Sequence, residues 1–157
     1  MTETPIISFR RADIHDRETL NTISFTSKGY WGYPTSWMEQ WRDELALDAV
    51  QFLEQHILII EYGQKPIGFS SLVEHTDRYE LLHLWILPDY IGKGFGKKLL
   101  DETIRTFVKT DKEIVVEADP HAESFYKKQG FVTVDKVESF PKGRFLPVMK
   151  KDHRSRL

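Results

Sequence analysis

The amino-acid sequence predicts an α+β domain built on a mixed, mostly antiparallel sheet of about seven strands, with helices on both faces. Two observations lead to this fold class. Extended apolar segments and segments of helical period follow the order strand, two helices, three antiparallel strands, helix, strand, helix and two strands. The 157 residues also contain no internal repeat, low-complexity tract or linker-like stretch, so we expect a single domain over residues 1–157.

The chain begins with one strand and two helices. Residues 6–10 form the first predicted strand, and Asp13 or Asp16 can cap the helix that follows it. Ser36 and Glu39 have the spacing of a capping box, which predicts the start of a second helix at Ser36.

Three extended segments form the centre of the predicted sheet. Residues 56–62 and 67–73, with turn residues 63–66 between them, indicate an antiparallel hairpin. Residues 79–87 form the third strand, and Pro88 ends it.

Two helices and three strands complete the prediction. The longer helix begins at Gly96 and carries apolar residues at helical intervals through Val108. Asp119 and Pro120 are typical of a helix start, and Gly130 is typical of a helix end. The remaining strands are predicted at residues 113–117, 131–137 and 145–149.

The composition excludes several classes of protein. There is no cysteine, which rules out disulfides, thiolate metal sites and a cysteine nucleophile. The six histidines lack ligand spacing, and the net charge of −2 creates no basic field, so we expect no metal, no nucleic acid and no membrane partner. Because neither a signal peptide nor a membrane-spanning apolar run is evident, we expect a cytoplasmic protein.

A glycine-rich turn is the clearest candidate for a binding site. Residues 92–96, Gly-Lys-Gly-Phe-Gly, join an apolar strand to an amphipathic helix, where backbone N–H groups and the helix dipole favour an anion. The turn lacks the P-loop pattern, and Lys97 stands where a dinucleotide motif needs its third glycine. By itself the turn supports a phosphate site or a plain loop with solvated lysines.

Two segments together resemble a known family. Residues 84–100, LWILPDYIGKGFGKKLL, resemble the acetyl-CoA motif of the GNAT superfamily of N-acetyltransferases, whose core is Q/R-x-x-G-x-G/A. Residues 119–131, DPHAESFYKKQGF, resemble the second motif of that family, N-P-x-A-x-x-F-Y-x-K-x-G-F. Both motifs occur in the order and at the spacing of the family, and the predicted order of elements is GNAT-like.

The resemblance implies a function and a set of cofactor contacts. The function would be direct transfer of an acetyl group from acetyl-CoA to the primary amine of a small molecule or peptide, without a metal. The alternative is a non-catalytic acyl-CoA-binding sensor on the same fold. The implied cofactor-binding residues are Leu84, Ile86, Ile91, Gly92, Lys93, Gly94, Phe95, Gly96, Lys97, Asp119, Ala122, Phe125 and Tyr126. Two of these depart from the family pattern: Ile91 replaces Gln or Arg, and Asp119 replaces Asn.

Catalytic roles follow from the same resemblance. Tyr126 is the expected general acid for the thiolate leaving group, and the Ile86 N–H is the expected oxyanion donor. Glu80 is the candidate general base, directly or through water, since it shares a strand face with Leu84 and Ile86 if no bulge intervenes. His83 competes for that role, and some family members use no base.

The acceptor pocket is expected in the aromatic segment after the first helix. Tyr30, Trp31 and Tyr33 are the candidate contacts, since aromatic rings can hold an ammonium group or a carbon skeleton. Trp37 and Trp41 are assigned to the core face of the second helix. The identity of the amine, the acyl-chain preference and the oligomeric state, including a homodimer, stay open.

Overall fold

The computed structural model describes residues 5–152. Within this range the strands are β1 (Ile7–Arg11), β2 (His56–Tyr62), β3 (Lys65–Glu74), β4 (Tyr79–Ile86), β5 (Ile114–Glu117), β6 (Val132–Ser139) and β7 (Arg144–Lys151). The α-helices are α1 (Arg17–Gly29), α2 (Thr35–Leu45), α3 (Ala49–Glu54), α4 (Phe95–Phe107) and α5 (Glu123–Lys128). Short 3₁₀ turns occupy Ile14–Asp16, Pro88–Tyr90 and Pro120–Ala122.

All seven strands belong to one sheet. Their order is β1-β2-β3-β4-β5-β7-β6, and every neighbouring pair is antiparallel except β4 and β5. The helix α4 connects these two parallel strands, because parallel neighbours need a crossover that returns the chain to the same end of the sheet. The predicted mixed, mostly antiparallel sheet is therefore confirmed.

Helices cover both faces of this sheet. On β2, Leu58 and Ile60 join the core cluster that contains α4 and α5, whereas Ile57 and Ile59 join the cluster that contains α1 and α3. A strand that is buried on both faces needs apolar residues at successive positions, which explains the Ile-rich sequence of β2. A third cluster, beside α1, contains the α2 residues Met38, Trp41 and Leu45.

The strands β4 and β5 diverge after three paired positions. Tyr79 to Leu81 of β4 pair with Ile114 to Val116 of β5, and no later pair joins the two strands. The remainder of β4, from Leu82 to Ile86, therefore leaves its β5-facing edge open. This gap is the feature of the fold around which the site is built.

A β-bulge lies where the gap begins. Leu82 is the extra residue, since its two neighbours pair with consecutive residues of β3. An extra residue reverses the alternation of side chains along a strand. As a result, Leu84 and Ile86 pack against the same core cluster as Leu81.

Two details of the predicted helices differ from the structure. Three helices, not two, precede the main sheet, because α3 forms a six-residue helix with Asp48 and Gln51 as its capping box. The capping box predicted at Ser36 is wrong. The helix α2 already starts after Pro34, so Ser36 lies inside it and no side chain caps its N-terminus. Over residues 5–152, no helix combines the length and apolar character needed to cross a membrane.

Candidate active site

A cavity of about 540 Å³ opens where β4 and β5 diverge. Its walls come from the end of β4, the turn before α4, the end of β5 and the helix α5. Trp31 and Leu45 extend the lining towards α1 and α2. A second groove, of about 760 Å³ along α1, shares no residue with this cavity and contains none of the predicted site residues.

The turn before α4 has the backbone geometry of an anion site. Gly92 and Gly94 have φ angles of 82° and 83°, in the left-handed region that favours glycine. A Cβ added at either position would meet no atom within 4 Å, so conformation and not crowding accounts for these glycines. Gly94 is the N-cap of α4, and no side chain caps the first N–H groups of the helix. Those N–H groups are therefore available to a phosphate.

Backbone N–H groups of β4 point into the gap. The Leu87 N–H donates to the Ile67 carbonyl at 2.8 Å, on the β3 side. Because donors alternate along a strand, the N–H groups of Ile86 and Leu84 point to the opposite side, where β5 has diverged. The open edge can therefore bind an extended chain that carries amide groups, and the Ile86 N–H can stabilise a developing negative charge.

Tyr126 lies at the inner wall of the same cavity. Its side chain is only 5% exposed and packs edge-on against Phe125 and Phe131, with ring centroids 5.2 and 5.3 Å away. Burial raises the pKa of the phenol well above its usual range, so the hydroxyl keeps its proton. Among the residues of the described range, none forms a hydrogen bond with this hydroxyl. Tyr126 is therefore present as the protonated phenol at the wall of the cavity.

Glu80 does not line the cavity. Its Oε1 is 2.9 Å from Nε2 of His75, in the part of β4 that is still paired with β5. The expectation that Glu80 shares a face with Leu84 and Ile86 is wrong, because the bulge reverses the alternation between them. A role for Glu80 as a base that acts through water stays a prediction.

His83 lines the cavity, but its hydrogen bond leaves it no free lone pair. The Trp85 indole N–H donates to His83 Nδ1 at 2.9 Å. Since an indole can only donate, Nδ1 holds the lone pair and Nε2 carries the proton. Burial lowers the pKa of His83 to about 4, so the ring is neutral near pH 7. In this arrangement neutral His83 offers an N–H donor and not a proton acceptor.

Asp119 is the centre of a buried charged cluster. Four side chains lie within hydrogen-bond distance of its carboxylate: Lys28 Nζ at 2.6 Å, Tyr33 OH at 2.9 Å, His121 Nδ1 at 3.0 Å and Arg144 Nη2 at 3.3 Å. Burial alone would raise the pKa of Asp119, but the charge of Lys28 and the hydrogen bonds together lower it to about 2. The carboxylate therefore stays ionised and accepts from every partner.

Two rings of the aromatic segment, those of Tyr33 and Trp41, contact the protein's own cations. Lys28 Nζ lies 4.6 Å and the Arg144 guanidinium 4.7 Å from the Trp41 ring centroid. The Tyr33 ring has the same two cations at 5.2 and 5.1 Å, and Tyr33 does not line the cavity. Trp31 does line it and stacks on His121, with centroids 4.7 Å apart and planes at 6°. Of the three predicted acceptor residues, Trp31 is the one in the cavity wall, since Tyr30 is also absent from it.

The structure brings nearly all predicted cofactor contacts together. Those that line the cavity are Leu84, Ile86, Ile91, Gly92, Gly94, Phe95, Gly96, Lys97, Asp119, Ala122, Phe125 and Tyr126, while Lys93 lies outside its lining. Lys28, His121 and Arg144 were not predicted as site residues from the sequence. The helical spacing of Leu20, Ile23 and Ser27 continues to Lys28, which could have placed this lysine on the buried face of α1. Arg144 carries no comparable local signal.

Within residues 5–152, no group of three His, Asp or Glu side chains could hold a metal ion.

The whole domain is similar to known acetyltransferases. The family described as an acetyltransferase (GNAT) domain matches residues 24–152. A spermidine N(1)-acetyltransferase from Thermoplasma acidophilum is 29% identical over 165 aligned residues, which cover 95% of this chain and 99% of that relative. An uncharacterized N-acetyltransferase from Escherichia coli is 26% identical over 95 residues, or 60% of this chain. The match covers 53% of that protein, so the chain spans about half its length.

A solved structure shares the fold over nearly its full length. The PaiA N-acetyltransferase from Thermoplasma acidophilum, crystallised in complex with coenzyme A, superposes with a TM-score of 0.79 at 25% identity. The superposition covers 94% of this chain and 99% of the other.

Proposed function

The chain belongs to the GNAT family of acetyltransferases, and from this premise we propose that it transfers the acetyl group of acetyl-CoA directly to a primary amine that carries one ammonium group on an apolar body. Acetyl-CoA is the cosubstrate of this family of enzymes, and an amine is the acceptor. The observation that carries the proposal is the single cavity, which joins the glycine turn, the open edge of β4, Tyr126 and an apolar end near Trp31.

The residues of this cavity fit acetyl-CoA. In the proposal, the turn at Gly92–Gly94 and the N-terminus of α4 hold the pyrophosphate, with Lys97 at the rim. The N–H groups of Leu84 and Ile86 bond the pantetheine and acetyl oxygens along the open edge. The Ile86 N–H stabilises the charge that develops on the acetyl oxygen, and Tyr126 protonates the departing sulfur.

The charges at the acceptor end favour an amine with a single positive charge. Of the carboxylates that line the cavity, Asp119 is already paired with Lys28 and Arg144. Glu117 is exposed and forms no ion pair within the described part of the chain. One free carboxylate suits one ammonium group, whereas a polyamine would bring further charges without partners. Trp31, Leu45 and Leu146 provide apolar surface for the carbon skeleton.

An amine panel tests the proposal. Release of free CoA thiol is followed with 2-phenylethylamine, spermidine and a lysine-containing peptide as acceptors. We expect the highest kcat/KM with 2-phenylethylamine, because it has one ammonium group and an apolar ring. A tenfold preference for spermidine would contradict the single-charge acceptor.

Thermal unfolding distinguishes the enzyme from the sensor. Acetyl-CoA at one hundred times its Kd should stabilise the folded protein by about 2.7 kcal/mol, while ATP and NAD should have little effect. Stabilisation by acetyl-CoA with no thiol release for any amine would favour the acyl-CoA-binding sensor. No stabilisation would contradict both functions.

A further inference from the structure

We propose that His121 is the general base that takes a proton from the acceptor ammonium, and that Asp119 is the positioning residue that orients its ring. This inference rests on the proposed acetyl transfer, and it assigns to that reaction a proton acceptor that neither Glu80 nor His83 provides by direct contact.

The position of His121 is set by the turn after β5. His121 is the second residue of the 3₁₀ turn Pro120–Ala122, and its backbone N–H donates to Asp119 Oδ1 at 2.9 Å. The flat stack on Trp31 fixes the plane of the ring. His121 lines the same cavity as Tyr126, so both proton-transferring groups border the space in which the amine and the thioester would meet.

The cluster around Asp119 determines which ring nitrogen carries the proton. Asp119 is ionised and can only accept, so the 3.0 Å contact with His121 Nδ1 requires a proton on Nδ1. The Tyr33 hydroxyl is 2.9 Å from Asp119 Oδ1 and 3.1 Å from His121 Nδ1. Its single proton goes to the closer and charged carboxylate, so its oxygen accepts from Arg144 at 3.0 Å and can also accept from Nδ1–H. Burial raises the pKa of Tyr33 to about 12, which keeps this donor protonated. In neutral His121, the lone pair is therefore on Nε2.

Nε2 is free to act on a substrate. Within residues 5–152, no side chain or backbone group bonds to it. The charged and titratable groups that face the ring are Asp119 from its own turn and Tyr33 from the loop before α2. Lys28 from α1 reaches the ring through Asp119, and Arg144 from β7 reaches it through Asp119 and Tyr33. This arrangement, a carboxylate on one ring nitrogen and a lone pair on the other, is that of an oriented histidine base.

The proton transfers balance. The acceptor ammonium gives one proton to Nε2, and the neutral nitrogen forms a C–N bond to the acetyl carbon as the C–S bond breaks. The sulfur takes the Tyr126 proton, and the second proton lost from nitrogen restores the Tyr126 hydroxyl. Since the His121 side chain is 45% exposed, its proton leaves to solvent.

The first test determines the tautomer of the His121 ring and needs no acceptor amine. Two-dimensional ¹H–¹⁵N NMR of the histidine rings, recorded on the whole protein, distinguishes the two neutral tautomers. We expect neutral His121 to carry its proton on Nδ1. A proton on Nε2 would overturn the assignment, because no lone pair would then face the cavity.

The second test removes the lone pair and keeps the hydrogen bond to Asp119. In His121→Asn, the amide N–H takes the place of Nδ1–H, but nothing replaces Nε2. With 2-phenylethylamine we expect kcat/KM near pH 7 to fall about 100-fold, a loss in the range of general base catalysis, and its acidic limb to move to the higher pH at which the free amine loses its own proton. Acetyl-CoA affinity should change less than twofold. His15→Asn, at an exposed histidine of the turn Ile14–Asp16, is the matched control and should keep the wild-type profile.

The outcomes of these tests distinguish a failure of the His121 assignment from a failure of the proposed function. If His121→Asn keeps kcat/KM within threefold and retains the acidic limb, His121 is not the base. If Glu80→Gln alone moves the acidic limb to higher pH, the base is Glu80 acting through water. If the wild-type protein releases no CoA thiol with any amine of the panel, the proposed function fails first, and the tautomer measurement still reports on the ring.

Discussion

Replacing Lys28 by Met tests whether the buried cluster around Asp119 stabilises the fold. Met keeps an unbranched apolar chain beside the Trp41 ring, with sulfur in place of one methylene, and removes the ammonium group, which is 2.6 Å from the Asp119 carboxylate. Both side chains are about one-tenth exposed, at 11% and 10%. A charge left without its partner in such surroundings is costly.

The size of the effect follows from the environment of Asp119. Its pKa of about 2 lies below the ordinary value of 3.8, which corresponds to about 2 kcal/mol of stabilisation by linkage. Burial lowers the pKa of Lys28 even though Asp119 is its partner, so part of this gain is offset at the lysine. Breaking a buried pair costs about 3–5 kcal/mol, but Arg144 and Tyr33 still donate to Asp119 here. We therefore expect a loss of about 2–3 kcal/mol.

The pH dependence has a definite sign. The pKa of Asp119 is lower in the folded than in the unfolded chain, so its stabilisation is complete above about pH 4 and is lost as the pH falls towards 2. In Lys28→Met the folded pKa rises towards 3.8. The difference in stability between the two proteins should therefore narrow as the pH falls from 5 to 2.

Urea denaturation at pH 7 and pH 3 measures the loss of stability and its dependence on pH. In a thermal melt at pH 7, the midpoint should drop by about 4–12 °C, given about 2–4 °C per kcal/mol for a chain of this size. Lys127→Met is the matched control, since Lys127 forms an exposed pair with Glu123 at 3.8 Å and should change stability by less than about 0.5 kcal/mol. If Lys28→Met behaves like Lys127→Met, the cluster contributes no stability and the argument from Asp119 fails.

Two further predictions concern the cofactor end of the cavity. Tyr126→Phe should lower kcat at least tenfold and leave the Kd of acetyl-CoA within twofold, because the hydroxyl acts only on the leaving sulfur; unchanged turnover in a stopped-flow assay would remove Tyr126 from the mechanism. Ile91→Arg should tighten acetyl-CoA binding about tenfold, since Ile91 is 38% exposed beside the glycine turn and a guanidinium there can reach a phosphate; calorimetric titration that finds equal or weaker binding would contradict this.

The fold class and the phosphate turn could be predicted because their signals are local. The apolar runs, the hairpin turn at residues 63–66 and the helix from Gly96 depend on residues close together in the chain. The pair of Asp119 and Gly130 likewise marks a helix start and end in the sequence, and the structure has the Asp119 cap and a φ of 93° at Gly130. The structure therefore confirmed these elements with small shifts at their ends.

The register between neighbouring strands could not be predicted from local sequence signals. The bulge at Leu82 depends on how β4 pairs with β3, and nothing in the sequence of β4 alone marks it. Alternation without a bulge placed Glu80 on the face of Leu84 and Ile86. One unpaired residue reverses that assignment, which is why the general base was the weakest part of the prediction.

The buried cluster depends on contacts between residues far apart in the chain. Lys28 and Asp119 are separated by 91 positions, and Arg144 lies 25 positions beyond Asp119. The glycine turn at residues 92–96 was enough to predict an anion site, and Asp119 with Pro120 was enough to predict a helix start, since each requires only neighbouring residues. The ionisation of Asp119, the tautomer of His121 and the apolar acceptor end arise only when α1, β5 and β7 pack together, because burial and charge partners are properties of the assembled chain.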